Sequence, residues 1–131
     1  MKTYAIGDVH GCFDTLEQLL QQIPNKSRLV FIGDIVNRGP KSLETIRTVM
    51  RMGDRAECLL GNHELHLLAV YAGQRAMSPE DTISEILNAP DCEDIIQWLR
   101  NRPLALVDHG FLCSCMPLRI STERKPKGCV N

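Results

Sequence analysis

No apolar run in this chain approaches the roughly 18 residues that a membrane-spanning helix needs, so no span is expected. Charge of either sign is not in excess: 15 Lys and Arg stand against 16 Asp and Glu, a formal net charge of -1. That balance removes any global electrostatic reason to expect a nucleic acid or a membrane surface as partner. No two of the six cysteines (Cys12, Cys58, Cys92, Cys113, Cys115 and Cys129) have the two-residue gap of a zinc knuckle or a redox pair. Met1-Lys2-Thr3-Tyr4 leads straight into a strand and lacks the pattern of a signal peptide. A cytoplasmic location follows, in which the thiols stay reduced. Cys12 and Cys58 lie in or beside apolar segments and are expected to be buried structural thiols.

What is present is enough for one domain. The 131 residues can bury about two-thirds of the surface their unfolded chain exposes. Tyr4-Ala5-Ile6, Leu29-Val30-Phe31-Ile32 and Glu57-Cys58-Leu59-Leu60 are short apolar runs of the kind found in buried strands, and Leu104-Ala105-Leu106-Val107 is a fourth. Helical spacing fills the gaps. Thr15 to Leu20, with Asp14 as a candidate N-cap, is one helix; Ser42 to Met52 and Glu64 to Tyr71 are two more. Pro79 to Arg100 reads as helix in two pieces broken at Ala89-Pro90. Strands alternating with helices predict an α/β fold with a largely parallel sheet.

Three of these strands end in Gly plus a polar residue: Gly7-Asp8, Gly33-Asp34 and Gly61-Asn62. Ligands of open α/β sheets bind beyond the carboxyl ends of the strands, so these residues are expected on one rim. In Asp8-Val9-His10 a carboxylate and an imidazole are one residue apart and can reach one cation. Asp34 adds a second carboxylate and Asn62 an amide oxygen, a donor set suited to Mn²⁺, Fe or Zn²⁺. A central carboxylate such as Asp34 can bridge two ions, the arrangement that clamps a phosphoryl displacement. His63 follows Asn62 and is backed by Glu64, expected to fix its tautomer and favour its protonated form for general-acid work. Arg38 is placed to grip phosphate oxygens, with Gly39 allowing a close turn beside it. His66 is expected on a helix near the site entrance and His109 in a loop. Each element alone is weak; the ordered set at three strand ends, 26 and 28 residues apart, is specific.

Gly7-Asp8-Val9-His10-Gly11, Gly33-Asp34 through Arg38-Gly39, and Gly61-Asn62-His63-Glu64 together resemble the calcineurin-like metallophosphoesterases. The text around them, with Trp98-Leu99-Arg100-Asn101-Arg102-Pro103-Leu104, is similar to symmetrical bis(5'-nucleosyl)-tetraphosphatases within that superfamily. The resemblance implies a two-metal site, commonly with Mn²⁺ or Co²⁺, and hydrolysis of the dinucleoside polyphosphate diadenosine tetraphosphate to two ADP. By carry-over Asp8 and His10 hold the first metal, Asp34 bridges, and Asn62 holds the second. His63, Glu64 and Arg38 are catalytic, and Arg38, Gly39 and His66 also face substrate. Asn37 departs from the aspartate of the protein phosphatases, which weakens that alternative.

The resemblance covers about residues 3–112, less than half of a family member. Residues 1–112 are therefore expected to form the first βαβαβ half of the calcineurin-like sandwich, and 113–131 a non-homologous, disordered tail. The tail carries Arg119, Arg124, Lys125 and Lys127 against Glu123 alone, and its hydrophobic periodicity ends at Met116. The family's later histidine segments have no counterpart among His10, His63, His66 and His109. Back-translation around Cys115-Met116-Pro117 gives His or Tyr followed by Ala in another frame, where the family has His-Ala, pointing to a frameshift near codon 113. Loss of the second layer would leave one sheet face uncovered and open to self-association. Beside the hydrolase reading stand a protein Ser/Thr phosphatase and a non-catalytic fragment or interaction module.

Overall fold

The computed structural model describes residues 2–108 and 110–115. The expectations for His109 and for the tail beyond residue 115 lie outside the described residues. Strand β1 (Thr3–Ile6) is followed by helix α1 (Phe13–Gln22), β2 (Arg28–Phe31), α2 (Ser42–Arg51) and β3 (Ala56–Cys58). These strands form a parallel sheet in the order β1-β2-β3, with Ile6 opposite Phe31 and Phe31 opposite Cys58. This is the expected βαβαβ unit. Helices α3 (Asn62–Tyr71), α4 (Ser84–Leu87) and α5 (Cys92–Arg100) follow. Strands β4 (Ala105–Asp108) and β5 (Phe111–Ser114) then pair as an antiparallel hairpin.

The core has one side. Sequential parallel strands joined by right-handed crossovers put their helices on a single face. The side chains alternating onto that face are Tyr4, Ile6, Leu29, Phe31, Ala56 and Cys58, and all belong to or pack against the core cluster. Helix α2 offers Thr45, Ile46 and Val49, while α5 offers Cys92, Ile95, Ile96 and Leu99, the spacing of a helix with one buried stripe. Arg47 and Asp91 pair at 2.6 and 3.0 Å and tie α2 to the start of α5. Of the residues on the opposite sheet face (Thr3, Ala5, Arg28, Val30 and Glu57), only Val30 is buried.

Four expectations differ from what is found. Asp14 does not cap α1: Cys12 occupies that position, and the Asp14 carboxylate meets Lys41 Nζ at 3.1 Å instead. Cys12 itself is exposed, whereas Cys58 is buried and its thiol is pushed far up by burial. The first helix of the 79–100 stretch begins only at Ser84, because Asp81 turns the chain back to accept the Ser78 N–H at 2.8 Å. The fourth strand does not join the parallel sheet; it pairs with β5, whose span crosses residue 113. No helix among the described residues is long and apolar enough to cross a membrane.

Phe31 sits at the middle of the sheet with 0% exposure, so Phe31→Ala opens a cavity between sheet and helices. The expected loss is about 3–5 kcal/mol, read as a lower urea midpoint with an unchanged m-value.

Candidate metal centre

The loops that leave β1 and β2 are sewn together by their backbones. His10 N–H donates to the Asp34 carbonyl at 2.9 Å, Gly11 N–H to Ile35 at 2.8 Å, and Gly39 N–H to His10 at 2.6 Å. The crossing is so close that a Cβ on Gly39 would run into the His10 carbonyl oxygen and the Gly11 carbon. A side chain at 39 would therefore push the two loops apart. Among the described residues, the non-glycine positions with positive φ are His10, Asp34, Asn37 and Arg38. Such backbone costs on the order of 1–3 kcal/mol each and persists where surrounding contacts hold it.

Glu64 is the chief of those contacts. Its side chain is fully buried, and Oε1 accepts the N–H groups of Asp34 at 2.6 Å and Gly61 at 2.9 Å. Its Oε2 accepts Ile35 N–H at 3.1 Å and Val36 N–H at 3.4 Å. Burial pushes this carboxyl up to about 7, against the pull of the amides. The expectation that Glu64 backs the His63 ring is corrected here: its oxygens are spent on the backbone of two loops.

The partner of His63 is Asn37. Asn37 is fully buried, and its Oδ1 accepts N–H groups from Arg38 at 2.9 Å and Thr82 at 2.8 Å. That identifies the other end as the amide nitrogen, which donates to Asp81 Oδ1 at 3.0 Å and lies 3.2 Å from His63 Nδ1. The hydrogen-bond network therefore assigns Nδ1 as acceptor and puts the ring proton on Nε2. Burial lowers the His63 pKa, with His10, Arg38 and His66 adding to the fall and Asp34 opposing it. The ring is held neutral, contrary to the protonated form expected from its carboxylate neighbour in sequence.

Asp34 lies between the loops with 9% exposure. Its Oδ1 accepts His63 N–H at 3.0 Å and its Oδ2 accepts the Cys115 thiol at 3.1 Å. Burial and the Asp34 carboxylate push that thiol up to about 12. Gly61 is required against Asp34, since its Cβ would overlap Oδ1. Asp8 is exposed beside it, and ligand atoms of Asp8, Asp34 and Cys115 fall within 4.8 Å of one another. His10 stands next to this group, with Nε2 3.6 Å from Asp8 Oδ2 and its ring 5.1 Å from that of His63. Its Nδ1 is buried with no hydrogen-bond partner among the described residues. Two converging carboxylates, with the Nε2 side of the His10 ring next to Asp8, are a donor set that fits a divalent cation.

Asn62, the first residue of α3, is exposed and lines a cleft of about 250 Å³ with Asn37, Arg38, His63, His66, Arg75 and Asp81. His66 is on the cleft wall, but its Nε2 is committed to Asp81 Oδ2 at 2.7 Å. Asp81 and Arg75 were not singled out in sequence. Asp81 stood inside a segment read as helix, and its position depends on a turn that returns it to Asn37. Its side chain is 2% exposed. Burial would raise its pKa, yet hydrogen bonds from Asn37, Ser78 and His66 hold it well below the usual carboxylate range.

The calcineurin-like phosphoesterase family model matches residues 1–125. A symmetrical bis(5'-nucleosyl)-tetraphosphatase of Ralstonia nicotianae is 51% identical over 111 residues, 83% of this chain and 39% of that protein. The enzyme of the same description from Psychromonas ingrahamii is 52% identical over 107 residues, 79% of this chain and again 39% of its own length. The chain thus spans about two-fifths of the curated relatives it matches. A crystal structure of a candidate diadenosine tetraphosphatase superposes with a TM-score of 0.60 at 33% identity, over 79% of this chain and 43% of that one.

Two substitutions test this architecture. Glu64→Gln turns an amide NH₂ toward backbone N–H groups and is expected to destabilise by about 1–3 kcal/mol in urea unfolding. For Asp81 the folded pKa is depressed, so its stabilisation is complete above the unfolded value of about 4 and is lost as pH falls from there through the lower folded value. The stability gap between the parent and Asp81→Asn should accordingly be widest near neutral pH and close in acid, as followed by thermal melts.

Proposed function

The chain belongs to the calcineurin-like phosphoesterase family, and on that premise we propose that its site serves hydrolysis of diadenosine tetraphosphate to two ADP. The observation that carries the reading is that Asp8 and Asp34 converge from two strand ends, Asp34 accepts the His63 N–H from the third, and Arg38 shares the cleft with His63. The half-identity to symmetrical tetraphosphatases supports the choice of substrate. Asp8 and His10 would hold the first divalent ion, Asp34 both, and Asn62 the second. Mn²⁺ or Co²⁺ suits these oxygen and imidazole donors. The ions, when bound, supply Lewis-acid stabilisation of charge on the phosphoryl oxygens.

The protein's own groups do the rest. Arg38, with Arg75 on the same wall, offers guanidinium donors to the polyphosphate in the cleft. Water adds to phosphorus at the middle of the polyphosphate, and the bridging P–O bond breaks to release ADP on each side. The leaving oxygen is a phosphate terminus with a pKa of about 6, so it departs without a strong acid. A neutral His63 with its proton on Nε2 meets that need as a hydrogen-bond donor to the leaving oxygen. Asn37 and Asp81 act as positioning residues that hold this tautomer. The same reading places the chain in the cytoplasm and leaves the uncovered sheet face for self-association.

The exposed Ala5 and half-buried Thr3 and Glu57, on the sheet face turned away from the helices, favour a second reading, a non-catalytic fragment or interaction module. A single assay separates the two. With Mn²⁺ or Co²⁺ the purified chain should release ADP from diadenosine tetraphosphate, and His63→Ala should slow release on the order of 10²-fold. A folded protein that releases no ADP would favour the module. Faster turnover of a phosphopeptide would move the assignment to a protein phosphatase.

A further inference from the structure

The described cysteines do not share one environment. Cys58 and Cys92 are buried in the core, and Cys12 is exposed on the loop before α1. Cys115 alone among them has its sulfur against a carboxylate, 3.1 Å from Asp34 Oδ2. The fold delivers it there. Leu60 N–H, at the end of β3, bonds the Pro103 carbonyl at 2.9 Å, which anchors the start of the hairpin. Ala105 pairs with Ser114 across the hairpin, so the next residue returns to the rim of the parallel sheet. Gly33 leaves the room: a Cβ there would come within 2.9 Å of Cys115 Cβ and 2.8 Å of Gly61 N.

We propose that Cys115 is a thiolate ligand of the cation held by Asp8 and Asp34, turning an oxygen-rich site into a mixed sulfur–oxygen one that prefers Zn²⁺, Cd²⁺ or Co²⁺ over Mn²⁺. The inference rests on the reading of Asp8 and Asp34 as metal ligands. Ligand atoms of the three residues already fall within 4.8 Å of one another. A tetrahedral ion with bonds of about 2.0–2.3 Å separates its ligand atoms by roughly 3.5 Å, so small side-chain rotations suffice. Thiolate is a softer donor than carboxylate and biases a site toward zinc-like ions. On binding, the S–H proton leaves to solvent and the sulfur–metal bond replaces the hydrogen bond to Asp34; no electron is transferred.

The test is a Co²⁺ titration of the full chain, followed by thiolate-to-cobalt charge-transfer absorption and by equilibrium dialysis. The parent should show the thiolate band. Cys115→Ala should lose it while still binding Co²⁺ through the carboxylates, with affinity lower by about tenfold or more. Cys12→Ala and Cys113→Ala should keep the band, and Asp34→Asn should lose both band and binding. Cobalt bound by the parent without a thiolate band, or a band that survives Cys115→Ala, overturns the thiolate ligand and leaves the carboxylate site standing. No cobalt bound by any variant overturns the metal reading itself, and the inference with it.

Discussion

Four backbone N–H groups point at one buried carboxylate, and the rest of the site depends on that convergence. Glu64 starts from the first turn of α3 and reaches both Gly61 and the Asp34–Val36 segment. A buried amide left unpaired costs about as much as a lost hydrogen bond, so these four donors hold the carboxylate in place. Through Glu64 the helix start and the exit of β2 become one rigid piece. Asp34 is thereby held at positive φ, with one carboxylate oxygen on His63 N–H and the other facing the hairpin.

A second layer of polar contacts rests on the first. Asn37 is oriented by two backbone donors, so its amide nitrogen must face His63 and Asp81. This decides the histidine's tautomer without any charged partner touching the ring. Asp81 is in turn held by Ser78 and His66. The chain of contacts links the end of β2, helix α3 and the turn before α4. Its strain, concentrated at His10, Asp34, Asn37 and Arg38, is offset by the bonds between loops.

The two sheets behave differently. The parallel sheet is covered on one face by helices that match its apolar residues. The hairpin leaves Val107 67% and Phe111 74% exposed, and a two-stranded ribbon has little stability of its own. What fixes the hairpin in place is its junction with Leu60 and its far end at Asp34. The same junction brings a sulfur to a site otherwise built from oxygen and nitrogen.

Local order was readable in the residues themselves. Apolar runs ending in Gly-Asp or Gly-Asn marked the three parallel strands, and helical spacing marked α1, α2, α3 and α5, because burial imposes periods of two and 3.6 on a chain. The spacing of Asp8, His10, Asp34, Asn62 and His63 likewise announced that these residues gather at one rim, since strand ends of such a sheet lie side by side. The partner of each side chain was not readable. Glu64 adjoins His63 in sequence, yet a helix start aims successive residues in different directions, and Glu64 points into the loops. Asp81 and Cys115 meet Asn37 and Asp34 across 44 and 81 residues. Contacts at that separation depend on how turns and a hairpin pack, and tertiary structure alone decides them.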